Sequence, residues 1–318
     1  MIFCPSTRSA AMPVRSRLRQ GPWAPAGRLT AFLRWYVVLV VFIAGACASV
    51  PASECEEPNE GSGQPVFSPT ERIELFNGLD LSGFYTWQSD TQRNDPRDVY
   101  SVKDGMLRIS GEGLGYLATR SMYRNYRLVV EYKWGKKTGN RGRVRNSGIL
   151  LHGSGEDGNY KRLWMTAIEC QLAQGCEGDM IIIQGNDRSG NVPAATLTAD
   201  TVLGPDGNTR WSPDGKKTVC SGHQLWWSNH DPEFKEPLDG RGRWDVASPK
   251  GQWTRVECLC DEDRIAIRVN GETVNAAYDV VPGFGKILLQ NEGHEILFRM
   301  IELHPLLREE RHDRTNLH

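Results

Sequence analysis

The chain has 318 residues, of which 39% are hydrophobic and 24% charged, and this is the composition of an ordinary globular protein with one large domain or two small ones. Its formal net charge of -1 argues against a nucleic-acid partner, because such partners bind surfaces with a basic excess. The 33 glycines and 10 tryptophans favour a turn-rich β protein over a helical one.

The N-terminal segment differs from the rest of the chain, because the first acidic residue is Glu54. Six arginines precede an apolar run from Trp35 to Ala46. A run of this length is too short for a relaxed membrane span and is typical of a signal-peptide core. We therefore predict a signal peptide over residues 1–47 and export to the periplasm, the cell surface or the medium.

Cys47 follows small residues at the end of the apolar run. This arrangement is typical of a lipoprotein signal, in which a lipid on Cys47 would anchor the mature chain to a membrane. A plain secretory signal without lipidation is the alternative. A lipid anchor at Cys47 is the only membrane contact that the sequence predicts.

The cysteines beyond the leader allow two interpretations. In an oxidising compartment an even number of them could form disulfides, or they could fill the core as small hydrophobic residues. The residues concerned are Cys55, Cys170, Cys176, Cys220, Cys258 and Cys260.

Residues 70–305 have the alternating pattern of β-strands, with no helical period sustained over ten residues. Lys103-Asp104-Gly105 and Asn270-Gly271 separate strand-like runs and are hairpin signals. We predict one all-β domain here, a two-sheet antiparallel β-sandwich with long loops. Residues 48–69 are rich in Pro, Gly, Ser and Glu and are predicted to be a flexible linker, and residues 306–318 a polar C-terminal tail.

Residues 185–250 hold many Gly, Pro, Asp and Trp residues and few alternating runs. They are predicted to form long surface loops, where the function of a rigid sandwich is often located. Their tryptophans would either stack on sugar rings or pack the loops down, and packing is the more frequent role of a single Trp.

The run Ala167–Leu172 alternates polar and apolar residues. Its apolar members are predicted to fill the space between the two sheets: Ile168, Cys170 and Leu172. Glu169 and Gln171 would then lie on an open face, His152 would reach the same face or its rim, and Gln290 ends a strand of the same kind. An acid, an imidazole and two amides suit sugar hydroxyls, since amides both donate and accept hydrogen bonds.

Three stretches of the chain resemble a known family. The first is LFNGLDLSGF at residues 75–84. The second is NSGILLH at 146–152, followed by IECQL at 168–172 and GD at 178–179. The third comprises GQW at 251–253, RVEC at 255–258, VNG at 269–271 and GKILLQNEG at 285–293. In this order they resemble the 3-keto-disaccharide hydrolase domain family, over roughly residues 70–305.

This resemblance implies a concanavalin-like jelly roll with one concave sheet, and cleavage of a glycosidic bond in a sugar that carries a 3-ketone. The ketone acidifies the C2–H bond, so a base can form an enolate that expels the C1 substituent before water adds back. Glu169 is the first candidate for the base and His152 the second, with Lys161 or Arg162 stabilising the enolate. Direct hydrolysis would instead use two carboxyls, Glu169 and Asp179.

Six residues make up the predicted substrate-binding set: Asn146, Lys161, Trp164, Gln171, Asp179 and Gln290. Asp179 could equally be a turn residue or a calcium ligand. No ligand spacing demands a metal, so a divalent metal such as calcium is the only cofactor considered. Many family members carry an Asp five residues after the Glu, where this chain has Gln174.

Two functions remain open. The chain is an exported hydrolase or lyase acting on 3-keto glycosides, or it is a lectin-like module that binds carbohydrate without chemistry. The partner is a carbohydrate in both hypotheses, and neither involves nucleic acid.

Overall fold

The structure of the protein is a computed structural model that describes residues 65–139, 143–186 and 194–307. The predicted signal peptide with Cys47, most of the predicted linker and most of the predicted tail lie outside the described residues. No helix that is long and apolar enough to cross a membrane is present within these ranges.

The described residues form short strands throughout. The strands of the first half are β1 (Val66–Phe67), β2 (Ile73–Glu74), β3 (Phe84–Gln88), β4 (Tyr100–Lys103), β5 (Met106–Ile109), β6 (Gly115–Thr119), β7 (Met122–Tyr123), β8 (Tyr126–Trp134), β9 (Gly148–Ser154) and β10 (Thr166–Gln171). Those of the second half are β11 (Met180–Ile183), β12 (Thr196–Leu203), β13 (Thr209–Trp211), β14 (Lys216–Ser221), β15 (Gln224–Leu225), β16 (Thr254–Asp261), β17 (Arg264–Val269), β18 (Glu272–Val281), β19 (Lys286–Asn291) and β20 (Ile296–His304).

Two large antiparallel sheets contain most of these strands. The smaller has seven strands in the order β15-β11-β10-β9-β19-β6-β3. The larger has 11 strands, with β13-β12-β18-β17-β16-β8-β20-β5-β4 as its path, β14 beside β12 and β2 beside β20. A separate parallel pair joins β1 to β7. The predicted two-sheet antiparallel sandwich is therefore confirmed.

The core lies between the two sheets. Ile168, Cys170 and Leu172 point into it from the smaller sheet and meet residues such as Val130 and Cys258 of the larger one. Truncating a buried aliphatic side chain in such a core costs about 2–5 kcal/mol. The five cysteines of the described residues are all buried and unpaired, so the core-filling interpretation is right for them, and Cys55 lies outside the described residues.

Both predicted hairpin turns are present. Asp104 and Gly105 connect β4 to β5 with φ values of 52° and 71°, and Asn270 and Gly271 connect β17 to β18 with φ values of 49° and 90°. Positive φ at both central residues is the geometry that Asp-Gly and Asn-Gly pairs favour, because it matches the twist of the flanking strands. The local sequence therefore sets the register of these two strand pairs.

The prediction of loops over residues 185–250 was wrong in part, because β12, β13, β14 and β15 fall in this range. In β12, Leu197 and Ala199 point into the core while threonines occupy other positions, so a polar composition concealed a β-forming pattern. Residues 226–253 contain no strand and agree with the loop prediction. Of the four tryptophans in residues 185–250, Trp211 and Trp227 are buried in the main core, Trp226 is buried in a small separate cluster, and Trp244 is 48% exposed.

Candidate functional site

The outer face of the smaller sheet carries a group of polar side chains around its central strands. Glu169 and Gln171 of β10 point to this face, since the residues that alternate with them fill the core. The open-face position predicted for Glu169 is correct, but the side chain is only 3% exposed. Glu169 is therefore a buried carboxyl at a surface that faces away from the core.

Gly148 creates the space in which Glu169 meets a neighbour from another strand. It lies on β9, between β10 and β19, and pairs directly with Gln171. A Cβ atom added to Gly148 would lie 2.2 Å from Oε1 of Glu169 and 2.6 Å from Oε1 of Gln290. Because the middle strand has no side chain here, the carboxyl of β10 and the amide of β19 extend over it and form a hydrogen bond.

A second carboxyl, Glu292, lies beside this pair. It follows Gln290 by two residues and accepts a short hydrogen bond from the Nδ2 amide of Asn146. Burial, and then the negative charge of Glu292, raise the pKa of Glu169 well above its usual range, and the hydrogen bond from Gln290 opposes this only in part. Glu169 therefore retains its proton at pH values where an exposed Glu has lost it.

We name Glu169, Glu292, Gln290 and Asn146 the carboxyl site. Within the described residues, Oε1 of Gln290 and Oδ1 of Asn146 are buried and receive no hydrogen bond. Buried polar atoms without partners are rare in native proteins, and they mark positions where a bound hydroxyl group would be stabilised. Gln171 lies beside the site, but its Oε1 accepts the backbone N–H groups of Leu172 and Ala173, so it closes the turn after β10.

His152 does not lie on this face. Its ring packs edge-on against Tyr126 of the larger sheet, with the centroids 5.8 Å apart, so it points into the core. The register of β9 shifts against both neighbouring strands at this point and His152 has a φ of 58°, which is a β-bulge. The prediction assumed that side chains alternate regularly between the two faces along β9, and the bulge reverses this alternation at His152. Burial lowers the pKa of His152 to about 4.

Asp179 is fully buried and holds the loop that follows β15. Its carboxyl accepts hydrogen bonds of 2.6 Å from the backbone N–H of Trp227 and from the side chain of Gln224. Burial raises its pKa to about 8, against the effect of these two bonds. These contacts agree with the structural role considered for Asp179, and the carboxyl that neighbours Glu169 is Glu292.

Trp164 and Lys161 belong to the loop before β10. Trp164 is 2% exposed and packs with Tyr116 and Leu150 in a hydrophobic cluster on the outer face of the smaller sheet, so it offers no open ring for stacking. Lys161 is exposed, and its ammonium group lies 4.8 Å from the ring centroid of Tyr160. Neither residue belongs to the carboxyl site.

Gln174, five residues after Glu169, has a structural role. Its Oε1 accepts the backbone N–H groups of Arg145 and Asp239, each at 3.1 Å. It thereby joins the segment before β9, which contains Asn146, to the loop at Asp239. The residue at this position therefore contacts backbone and does not belong to the carboxyl site.

Cys176, Asp179 and His230 form a compact buried cluster, with their donor atoms within 4.8 Å of one another. A thiol and an imidazole suit zinc rather than calcium, which binds oxygen ligands. Nδ1 of His230 contacts the carbonyl oxygen of Gly175 at 3.0 Å, and both oxygens of Asp179 already accept hydrogen bonds. The cluster could hold a metal only by giving up these bonds, so its donors fit a metal poorly.

Sequence reasoning did not identify Glu292 as a site residue. The available signal was that Glu292 lies two residues after Gln290, since residues two apart in a strand point to the same face. Glu292 lies just beyond the end of β19, where alternation is no longer a secure guide.

Several solved structures match the chain at low sequence identity. A Parabacteroides distasonis protein assigned to the glycosyl hydrolases is 19% identical, with a TM-score of 0.42, and the match covers 74% of this chain and 94% of that one. The carbohydrate binding module CBM66 from Bacillus subtilis is 11% identical with a TM-score of 0.38, covering 75% and 99%. The Bacillus licheniformis β-glucanase is also 11% identical, with a TM-score of 0.37, covering 74% and 98%. No curated protein matches the chain significantly.

A family model described as the 3-keto-alpha-glucoside-1,2-lyase-like domain matches residues 71–304. This range contains both sheets and every residue of the carboxyl site. The chain therefore belongs to the 3-keto-alpha-glucoside-1,2-lyase-like family of carbohydrate-active domains.

Proposed function

We propose that this protein cleaves the glycosidic bond of 3-keto glycosides, by elimination followed by hydration, at the carboxyl site. The observation that carries the proposal is the pair of neighbouring carboxyls, in which burial and the charge of Glu292 keep Glu169 protonated. A carboxyl that keeps its proton beside a second carboxyl can supply an acid and a base in one site. Membership in the family supports the 3-keto sugar as the substrate class.

In the elimination step, Glu292 is the proposed base. Its carboxylate, oriented by the amide of Asn146, removes the proton from C2, and the electron pair of that C–H bond forms the enolate of the ketone. The enolate then re-forms the ketone as the bond from C1 to the leaving oxygen breaks. That bond's electron pair leaves with the oxygen, and a double bond remains between C1 and C2.

Glu169 is the proposed acid of the same step. Its raised pKa favours a proton-donor role over the base role expected from sequence. The carboxyl proton either hydrogen-bonds to the enolate oxygen or neutralises the departing alkoxide, and both uses lower the barrier by stabilising developing negative charge. The unpaired amide oxygens of Gln290 and Asn146 would accept hydrogen bonds from ring hydroxyls and hold the sugar over Gly148.

Hydration completes the reaction. The oxygen of a water molecule adds to C1 and one of the water's protons passes to Glu169, which replaces the proton that Glu169 gave to the departing oxygen. The proton that Glu292 removed returns to C2. The sum of both steps is hydrolysis, since one water is consumed and the aglycone is released. The protein contributes by holding the protons exchanged by Glu292 and Glu169 at fixed positions and by orienting the sugar ring.

A carbohydrate-binding module without chemistry is the second candidate. The unpaired amide oxygens favour sugar binding in either case, because they are suited to hydroxyl donors. The carboxyl pair distinguishes the two functions, since a binding module has no need of a buried acid beside a second carboxylate.

The experiment is an aglycone-release assay with 3-keto glycosides, using wild type, Glu169→Gln and Glu292→Gln. We expect each substitution to lower kcat/KM about 10³-fold, within the range typical of general acid–base groups. Glu257→Gln, a carboxyl on the larger sheet that pairs with Arg255, is the matched control and should change kcat/KM less than about twofold. Absence of turnover in wild type together with binding to unoxidised glycans would establish the binding module instead. Full activity in Glu169→Gln would remove that residue from the reaction.

We also propose that the protein acts after export. The support is the acid-free, arginine-rich leader with a short apolar run before Cys47. Expression of the full chain in a bacterial host, followed by fractionation and mass spectrometry of the mature N-terminus, tests this. A lipid on Cys47 that is lost in Cys47→Ala supports the anchor, unmodified cleavage supports plain secretion, and retention of the leader in the cytoplasm contradicts both.

A further inference from the structure

The connection between β8 and β9 carries an excess of positive charge. Residues 132–155 contain no Asp or Glu, although the chain as a whole has a formal net charge of -1. Three cations of this connection are exposed in the part that the structure describes: Lys136, Lys137 and Arg143. We name these three residues the basic rim. A local excess of one charge raises the local concentration of ligands that carry the opposite charge.

Backbone hydrogen bonds fix the lysines of the basic rim beside the segment that follows Glu292. The backbone N–H groups of Lys136 and Lys137 donate to Oε2 of Glu295 at 2.7 Å and 3.0 Å. The carbonyl oxygen of Lys137 accepts the backbone N–H of Glu295 at 3.1 Å. Glu295 follows Glu292 by three residues, which span at most about 10 Å of chain. The two lysines are therefore close neighbours of the carboxyl site.

The same connection contacts the surroundings of Glu292 at two further points. A Cβ atom added to Gly139 would lie 2.7 Å from the carbonyl oxygen of Gly293, the residue after Glu292. Asn146, whose amide donates to the carboxylate of Glu292, follows Arg143 by three residues. The basic rim therefore borders the carboxyl site on the side of Glu292.

The positive charge of the basic rim is available to a ligand. Oε1 of Glu295 accepts Nε–H of Arg108 at 2.7 Å, so this carboxylate does not pair with a lysine ammonium group. The ammonium groups of Lys136 and Lys137 form no ion pair within the described residues. The side chain of Arg143 is 59% exposed and lies 3.9 Å from Glu236, and a pair of this kind contributes little. Cations at the border of a site are suited to hydrogen bonds with an anionic group.

The proposed reaction indicates which part of a substrate would meet these cations. Glu292 is the group that removes the proton from C2, and C1 is bonded directly to C2. The leaving group on C1 therefore begins one bond from the carbon that faces Glu292, on the side that the basic rim borders. A substituent on the leaving group is the part of the substrate that can reach the three cations.

We propose that the protein prefers 3-keto glycosides whose leaving group carries an anionic substituent, a carboxylate or a sulfonate-type group, which binds the cations of the basic rim. Lys136, Lys137 and Arg143 would determine specificity and take part in no bond cleavage. This inference rests on the proposed function only in placing the glycoside at the carboxyl site.

Isothermal titration calorimetry with full-length protein that carries Glu169→Gln tests the preference without turnover. The ligands are 3-keto glucosides of 4-(hydroxymethyl)benzoate, of 4-(hydroxymethyl)benzenesulfonate and of methyl 4-(hydroxymethyl)benzoate, which have one shape and differ in charge. We expect at least one anionic ligand to bind about tenfold more tightly than the neutral ester, the effect of one hydrogen bond to a charged group. Salt at about 1 M, where the Debye length is about 3 Å, should remove most of this preference.

Variants on the same background assign the preference to the basic rim. Lys136→Gln combined with Lys137→Gln should lower it to less than about twofold, and Arg143→Gln should lower it about threefold, without weakening binding of the neutral ester. The matched control is Lys216→Gln combined with Lys217→Gln, which removes the same charge from exposed lysines of β14 at another part of the molecule. The control should retain the full preference.

Equal affinity for the anionic and neutral ligands overturns the proposal, and so does a preference that persists in the rim variants or disappears in the control. Failure to bind any of the three ligands also overturns it. Preference for one anion over the other identifies the group that the basic rim accepts. The aglycone-release assay is scored separately, so an anion preference without cleavage would support this inference and refute the proposed function, whereas cleavage without preference would do the reverse.

Discussion

Two carboxyls on the outer face of the smaller sheet, Asp157 and Glu169, have opposite surroundings. Asp157 accepts hydrogen bonds from the hydroxyls of Tyr85 and Tyr116 at 2.7 Å and 2.6 Å on one oxygen, and forms a salt bridge of 3.1 Å with Arg93 on the other. Glu169 has an amide and a second carboxyl beside it, and a raised pKa. Both oxygens of Asp157 have donors, whereas Glu169 lies in a site where the amide oxygens of Gln290 and Asn146 have none within the described residues.

The two regions adjoin, because Tyr116 and Gln290 are direct partners across β6 and β19. Glu169 is buried and Asp157 only half-buried, and the hydrogen bonding around the two carboxyls differs as well. The Asp157 region ties the loop before β10 to the sheet, whereas the carboxyl site contains buried acceptors that the described residues leave unpaired. The comparison teaches that a carboxyl beside unpaired buried acceptors is the better guide to function on this face.

The largest expected effect comes from Gly148→Ala. The new Cβ would occupy the place of the Glu169 and Gln290 side chains, so both must move. We expect kcat/KM for 3-keto glycosides to fall about 10²-fold, mainly through kcat, because a small misplacement of catalytic groups is costly. Gly83→Ala, where the added atom would come no closer than 3.2 Å to another atom, is the control. Wild-type kinetics in Gly148→Ala would show that the carboxyl and the amide need not meet over β9.

The next effect is on stability. Asp157→Ala leaves the hydroxyl of Tyr116, which is fully buried, without its acceptor, and we expect the free energy of unfolding to fall by about 3 kcal/mol. At a pH below the ordinary pKa of Glu, Glu169→Gln should change it by less than about 1 kcal/mol, since the acid is then neutral in both the folded and the unfolded chain and is replaced by a neutral amide. Urea denaturation of both variants measures the difference. Equal losses in both would mean that Glu169 is as structural as Asp157.

The dependence of stability on pH sharpens the same comparison. The pKa of Glu169 is raised on folding, so its proton stabilises the folded state fully below the pKa of the unfolded chain, and this stability is lost as pH rises through the folded pKa. Between the pKa of the unfolded chain and that of the folded chain, the loss is about 1.4 kcal/mol per pH unit. Denaturation from pH 5 to pH 8 should therefore show Glu169→Gln gaining stability relative to wild type as pH rises. A constant difference would indicate an ordinary pKa for Glu169.

The fold and half of the site follow from local sequence. Alternation from Ile168 to Leu172 correctly placed Glu169, because a regular strand turns every second residue to one side. The same rule failed at His152, where a bulge inserts one residue and no local motif announces it. The Asn146–Glu292 contact joins residues 146 positions apart, so only the assembled sheet brings them together.

The smallest expected effect concerns Lys161, which sequence reasoning placed near the reaction. Its ammonium lies over Tyr160 in an exposed loop, and such a cation–π contact contributes about 0.5–1 kcal/mol. We expect Lys161→Ala to change kcat/KM less than about twofold, because in the proposed mechanism the protonated Glu169, and not Lys161, stabilises the enolate. The aglycone-release assay, with Lys161→Met retaining the apolar stem, checks this. A tenfold loss in both variants would mean that the ammonium group of Lys161 stabilises the enolate after all. The case for Glu169 as the acid would then be weaker, because a second group would already stabilise the negative charge.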